Sequence, residues 1–314
     1  MIDLERILDQ HEPKIKESFL AMIANMRGEL DLNELELLVE SGRTAEALDL
    51  VLRSAPNLAT ASGAAFLAAA QETARQIGRD VGAVVVDFDM TNQGAVDAMR
   101  RNRLALTTAL TEGQRAATQA AIVEGIRTGA NPREQARRFR DSLGLTANQQ
   151  RAVDNYERAL RNADRSALDR ALRNRRDDAA VRRAAAAGQP LDDERIRRMV
   201  DRYRKRMIAH RAEVIARTES LRSVHEGMDE MFEQAFADGT LDRDDTIQTW
   251  HTAKDERVRG THRTMHRQKR PIGEPFVSGA GNLLMRPGDS RAPASETIQC
   301  RCRKTVQIEV RVGV

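Results

Sequence analysis

The strongest constraint on this chain is a repeated punctuation between residues 111 and 190 that belongs to helices. Thr111-x-x-Gln114 has the form of a capping box, and Gly129 stands where a helix can end in the left-handed conformation. Asn131-Pro132-x-Glu134 starts the next helix, with proline at the first helical position, where no N–H is needed, and Gly144 ends it. Thr146-x-x-Gln149 opens a third, with Val153, Tyr156 and Leu160 on one face. The pattern allows this helix to run through an Arg/Asp-rich stretch to Ala187, a rod of roughly 60 Å at ~1.5 Å per residue, before Gly188-Gln189-Pro190 stop it. Large apolar residues are scarce after Leu172, so such a rod must be exposed, lie on a partner, or break. Composition agrees with a helical chain: aromatics are only 3% and charged residues 31%, which leaves thin seams of Leu, Ile, Val, Met and Ala to make the core.

The flanks extend the pattern. Residues 1–55 read as two or three helices, from Leu4, Ile7 and Leu8 and then Leu32, Leu35, Leu38 and Val39, with Asp31 and Glu34 as an N-capping pair. Pro56-Asn57 breaks the run, and 58–80 is an Ala-rich helix carrying Phe66, Leu67 and Ile77. Val81 to Met90 is β-branched and reads as an extended connector or a short strand, after which Thr91 or Asn92 caps a helix through Met99 and Leu106. Downstream, Ile196, Met199, Val200, Tyr203, Met207 and Ile208 mark one amphipathic helix, and Ile215, Leu221, Met228, Met231, Phe232 and Phe236 a further one over about 211–237. From 240 the period becomes two, in Thr246 to His251 and Thr305 to Val310, with Gly- and Pro-rich turns over 271–293. The expected fold is mainly α: an elongated multi-helix N-terminal region followed by a small C-terminal α+β domain with short strands and long loops.

Charge divides the chain into three regions. Residues 1–90 hold 8 basic and 16 acidic residues, 91–210 hold 26 and 15, and 211–314 hold 17 and 16. The expected domains are an acidic, Ala-rich helical region (1–90), a basic helical region with a long exposed helix (91–210), and the α+β domain (211–314). A basic middle admits nonspecific nucleic-acid contact. Its only aromatics are Phe139, Tyr156 and Tyr203, so it lacks the stacking platform of single-strand binders, and solvated helix faces laced with Arg/Asp pairs are the plainer reading. No apolar run approaches the ~20 residues needed to span a bilayer. Two cysteines one residue apart cannot make a disulfide framework, and the chain reads as made in the cytosol.

The last hundred residues carry an ordered series: Ala216-Arg217-Thr218-Glu219, then Trp250 followed by Asp255, Arg257, Arg259 and His262, then Pro287-Gly288-Asp289, and finally Ile298-Gln299-Cys300-Arg301-Cys302. In this order and spacing they resemble the head-morphogenesis domain of tailed-phage minor head proteins, the Mu F-like family, over about 211–310. Phe88 to Asn92 and Gly129 to Arg138 resemble, more faintly, the helical region such proteins place upstream. The resemblance implies a minor capsid protein without catalysis, taking part in procapsid assembly and in DNA packaging or delivery. Its implied partners are the portal protein and the major capsid and scaffold proteins, with several copies per virion. Its implied location is inside the head near the portal vertex, after assembly in the host cytoplasm.

The residues also have a chemistry of their own. Asp255 with Arg257 and Arg259 reads either as an acid flanked by phosphate-binding arginines or as an ion-paired clamp on the loop after a strand, and the clamp is preferred. Trp250 reads as the largest core side chain of the domain. Hydrolysis would want a second carboxylate, for which Asp289 is placed, and a metal-dependent hydrolase or nuclease using Asp255, His262 and the Cys300/Cys302 pair is the alternative function; a DNA-binding internal head protein is another. His262 and His266 at helical spacing, with Cys300 and Cys302, give four donors of the types zinc takes, and His251 is a further candidate ligand. A spacing of one residue is shorter than the common zinc knuckle. Three states of the thiols therefore stay open: reduced and packed in a small core, bound to zinc, or joined in a disulfide.

Overall fold

The computed structural model describes residues 3–43, 46–47, 49–50, 59–82, 86–129 and 131–309. The chain is mainly α. In order it forms α1 (Leu4–Glu29), α2 (Leu32–Glu40), α3 (Ala59–Asp80), α4 (Gln93–Arg127), α5 (Pro132–Ser142) and α6 (Ala147–Arg161). Two 3₁₀ turns (Arg165–Asp169 and Arg175–Asp177) lead to α7 (Asp178–Ala187) and α8 (Asp193–Ala237). A short-stranded region follows: β1 (Thr246–His251), α9 (Gly260–Arg263), β2 (Lys269–Pro271), β3 (Phe276–Val277), β4 (Leu283–Leu284), α10 (Ala294–Thr297) and β5 (Arg303–Ile308).

The cap chemistry is where the sequence places it. Asp31 accepts from the N–H groups of Asn33 and Glu34 at the start of α2, and Asn131 accepts from Glu134 N with Pro132 behind it. Thr146 and Gln149 form the full capping box of α6. Gly188 ends α7 at φ 62°, the left-handed conformation that glycine adopts without a Cβ penalty.

Three expected boundaries move. The helix begun at Thr146 does not reach Ala187; it stops at Arg161, and the Arg/Asp-rich stretch folds into 3₁₀ turns. There Arg173 pairs with Asp178 at 2.9 Å and Arg202 with Asp177 at 2.9 Å, so side-chain pairs replace a missing apolar seam. The helices expected over 196–208 and 211–237 are one element, α8, because nothing between them interrupts the amphipathic spacing. Thr111-x-x-Gln114 starts no helix either, since α4 runs through it. Gln114 is buried there, accepts from Gly144 N at 2.8 Å and donates toward Ser142 O at 3.3 Å, serving the end of α5 instead. Residues 86–89 form no strand, and Pro56-Asn57 lies outside the described residues.

Two compact units are built from non-consecutive segments. One unit takes residues 19–57 and 107–213. Its core includes Leu35, Phe139, Leu143, Leu145 and Val153, with the Tyr156 and Tyr203 rings 4.5 Å apart between α6 and α8. Arg27 donates to the carbonyls of Asp141 (3.2 Å) and Leu143 (2.9 Å), closing the C-terminal end of α5.

The other unit takes residues 1–18, 58–106 and 214–314. It holds a three-stranded antiparallel sheet in the order β2-β1-β5, with Trp250 opposite Lys304 and Gln248 opposite Val306, and a separate β3-β4 pair. Cys302, Lys304, Val306 and Ile308 alternate along one face, and Val306 and Ile308 pack with Ile77, Met231 and Phe232 from α3 and α8. A second cluster joins Leu4, Ile7, Ala65, Ala69, Val224 and Met228, which seats α1 and α3 on α8.

α3 and α8 approach so closely at Gly227 that a Cβ there would lie 2.1 Å from the Phe66 carbonyl oxygen, a backbone atom that cannot swing aside. Gly227→Ala is expected to destabilise the protein by about 1–3 kcal/mol or more, the cost of overpacking, read as a lowered calorimetric midpoint. Gly63→Ala, where a Cβ would meet nothing within 4 Å, is expected to leave the midpoint unchanged or raise it.

Candidate functional site

β1 delivers Trp250 to the interior, where it is fully buried among Leu221, Met265, Phe276, Leu284, Cys300 and Cys302. α9 starts at Gly260 and turns His262 inward against it, the two rings meeting edge to face at 5.5 Å. The single residue between the cysteines spans a turn that Gln299 opens at φ 56°, and Cys302 N donates to Cys300 Sγ at 3.4 Å. His262 Nδ1 then lies 3.4 Å from Cys302 Sγ and 3.7 Å from Cys300 Sγ. All three side chains are buried.

The other imidazole nitrogen, Nε2, is 2.9 Å from Glu296 Oε2, and that carboxylate is itself 2% exposed. Glu296 accepts from Thr261 Oγ1 (2.8 Å), Ser278 Oγ (3.0 Å) and Asn282 Nδ2 (3.0 Å). Burial alone would raise its pKa; the donors Asn282, Thr261 and Ser278, with His262, outweigh that and hold it below the ordinary range. The thiols titrate as a pair: a hydrogen bond from Cys302 pulls Cys300 down to about 5, against burial, while that neighbour and burial push Cys302 up.

Behind the strand lies a second buried polar set. Lys304, 2% exposed, pairs with Asp229 of α8 and donates to Gln248 Oε1 at 3.1 Å, and Arg286 pairs with the same Asp229. Asp229 faces two cations, which overcome burial and keep its pKa below the ordinary value; for Lys304 burial prevails over the attraction and lowers it. His225 accepts Lys304 N–H at Nε2 (3.2 Å) and meets Leu221 O through Nδ1 (2.9 Å), and burial brings it down to about 4, so it stays neutral. These groups border a cavity of about 600 Å³ lined by Arg101, Glu226, Asp229, Arg286, Arg291 and Lys304, in which burial pushes Glu226 up to about 7.

The residues singled out by sequence separate into distinct places. Asp255 is clamped, but by Arg301 of the Cys-Arg-Cys turn; Arg257 gives it only a backbone N–H, at 3.1 Å, and the Arg259 guanidinium binds the Ile298 carbonyl instead. The Arg301 hydrogen bond lowers the Asp255 pKa. Asp289 binds Arg291 (3.0 Å) and Met285 N (2.9 Å), so it does not join Asp255 or His262. His266 accepts from Thr252 N at 3.2 Å, and His251 meets Thr305 Oγ1 at 2.8 Å, so neither enters the thiol group. α9 is a single turn, too short for the helical His262/His266 pairing.

The remaining motif residues fasten loops to α8. Thr218 Oγ1 accepts Gln299 N–H at 3.1 Å, and Arg222, held by Glu219 at 3.0 Å, donates to Gly288 O at 3.2 Å. Gly288 sits at φ 81° with its Cβ position 3.3 Å from the Arg222 backbone, so glycine is required there on two grounds. Sequence reasoning missed Glu296, Asp229, Arg286 and Lys304. Only Lys304 left a signal, its place on the inward period of Cys302, Val306 and Ile308.

Lys304→Met is expected to cost about 3–5 kcal/mol in urea unfolding, because it strands Asp229 beside a single remaining cation. Glu226 gives a pH test. Its folded pKa stands above its unfolded value of about 4.5, so its contribution is most favourable below that pH and is lost as pH rises through about 7. Glu226→Gln is therefore expected to raise the thermal midpoint at pH 8 and to change it little at pH 5.

No helix among the described residues is long and apolar enough to cross a membrane. No curated protein and no solved structure matches the chain. One family model does: residues 178–305, from the start of α7 into β5, match phage Mu protein F like protein, so this part of the chain is similar to the Mu F-like family of phage head morphogenesis.

Proposed function

We propose that the protein is a minor component of a tailed-phage head that acts by binding, docking on the portal and the inner capsid surface while the procapsid assembles and staying in the virion near the portal vertex. The observation that carries this reading is the family match over 178–305, which spans the whole ordered series from Ala216 to Cys302. The geometry supports it in a specific way. Arg217, Thr218, Asp255 and Arg301 each brace one loop or helix against another within the unit, Glu219 holds Arg222 on α8 for the same purpose, and Asp289 closes its own turn.

A hydrolase would want Asp255, Asp289 and His262 converging on one open site. Their partners are Arg301, Arg291 and Glu296, three different places. The basic stretch 91–210 is likewise drawn inward: Arg138, Arg161, Arg173, Arg202 and Arg204 each pair with a carboxylate of the same unit. Fewer free cations remain for phosphates than the net charge suggests, so docking on protein is the better use of these surfaces.

The test is co-expression with the portal protein of the same phage, followed by affinity purification and electron cryo-microscopy of assembled heads. Stable association with portal oligomers, and density for the chain at the portal vertex, are the expected results. Normal heads formed without the protein, together with no association with portal or capsid, would overturn the proposal.

A further inference from the structure

We propose that His262, Cys300 and Cys302 form a zinc site, with Glu296 holding the imidazole from behind and water in the fourth coordination position. The three donor atoms lie within 4.8 Å of one another and are buried. The spacing between them is the telling quantity. A tetrahedral ion with Zn–S of about 2.3 Å and Zn–N of about 2.05 Å holds sulfur and nitrogen about 3.5–3.6 Å apart. The two S···Nδ1 distances here are 3.4 and 3.7 Å, which straddle that value. Both sulfurs face the same nitrogen, Nδ1, so one small ion can reach all three.

The surroundings fit the same assignment. Nε2 lies 2.9 Å from the buried Glu296 carboxylate, a proximity that favours the proton on Nε2 and leaves the Nδ1 lone pair for a metal. Glu296 is in turn fixed by Thr261, Ser278 and Asn282, so the imidazole plane is set before any ion arrives. The Trp250 indole N–H, buried beside Cys302 without a hydrogen-bond partner, would meet a better acceptor in a metal-bound thiolate than in a thiol. Among the described residues no fourth His, Cys, Asp or Glu joins the group, which leaves one position for solvent.

A structural consequence follows. This region has short strands and long loops, and the proposed ion would tie α9 to the Cys-Arg-Cys turn that joins α10 to β5. Binding displaces a proton from each thiol still carrying one, so affinity rises with pH over the thiol range.

The test uses the full chain, reduced and freed of metal by dialysis against chelator, with Zn²⁺ and Co²⁺ alone as probes. One equivalent of Co²⁺ is expected to bind and to give the intense near-ultraviolet absorption of thiolate-to-cobalt charge transfer together with tetrahedral visible bands. Zn²⁺ should displace it and raise the thermal midpoint. Cys300→Ser and Cys302→Ser are expected to lose the charge-transfer absorption, and Glu296→Gln to keep it with roughly 10- to 100-fold weaker affinity. Because the titration of the unaltered chain is itself decisive, a variant that fails to fold does not spoil the test. If the reduced chain, folded by circular dichroism, takes up neither ion, or if Cys302→Ser binds as tightly as the unaltered chain, the proposal falls and the thiols are packed core residues.

Discussion

A lysine and an aspartate buried face to face govern how the C-terminal strand is placed. Lys304 is 2% exposed and cannot stay charged in an apolar interior without a partner, and the partner is Asp229 on α8, shared with Arg286. Because β5 pairs with β1 along its whole length, fixing Lys304 fixes the register of the sheet against the helix. A shift of β5 by one residue would move Lys304 to the opposite face, strand Asp229, and carry Cys302 out of reach of His262. The neutral His225 refines this contact. It accepts the Lys304 backbone N–H and so grips the strand at the same residue through its main chain.

The helical body was legible where local chemistry decides the structure. Asp31, Asn131, Thr146 and Gly188 act through atoms no more than four residues away, so their effect does not depend on the rest of the fold. The same signals misled where tertiary packing overrides them. Gln114 looks like the end of a capping box, yet its amide is worth more satisfying the buried N–H of Gly144, thirty residues away, than interrupting a helix already favoured by its neighbours. The break after Arg161 had no strong stop residue to announce it. Ala163 turns the chain at φ 51°, and the carboxylates at 177 and 178 beyond it pair with Arg202 and Arg173 in the folded unit.

The candidate site was legible in its donors and not in its support. His, Cys and Cys are recognisable residue types, and their ordered series pointed to one domain. Which histidine joins the thiols depends on α9 being one turn long, and which arginine clamps Asp255 depends on where the Cys-Arg-Cys turn crosses the loop after β1. Neither is a property of spacing. Glu296 was invisible for a related reason. A carboxylate in a polar turn ordinarily faces water, and only the convergence of Thr261, Ser278 and Asn282 explains how this one is buried while remaining ionised.

The motifs of the ordered series therefore have a common physical meaning. Thr218 and Arg222 on α8 reach the two loops that precede β5, Asp289 closes the turn at 285–291 on its own backbone, and Asp255 with Arg301 ties the first loop to the last turn. Loops this long lose considerable entropy on ordering, and the small sheet beneath them has little apolar surface to offset it. Paired side chains at the loop crossings supply the difference, and they do so with directional bonds that admit one arrangement. A surface built from loops so fixed is preorganised. Docking such a surface on a partner would cost little further ordering, because the entropy of its loops is already spent in folding.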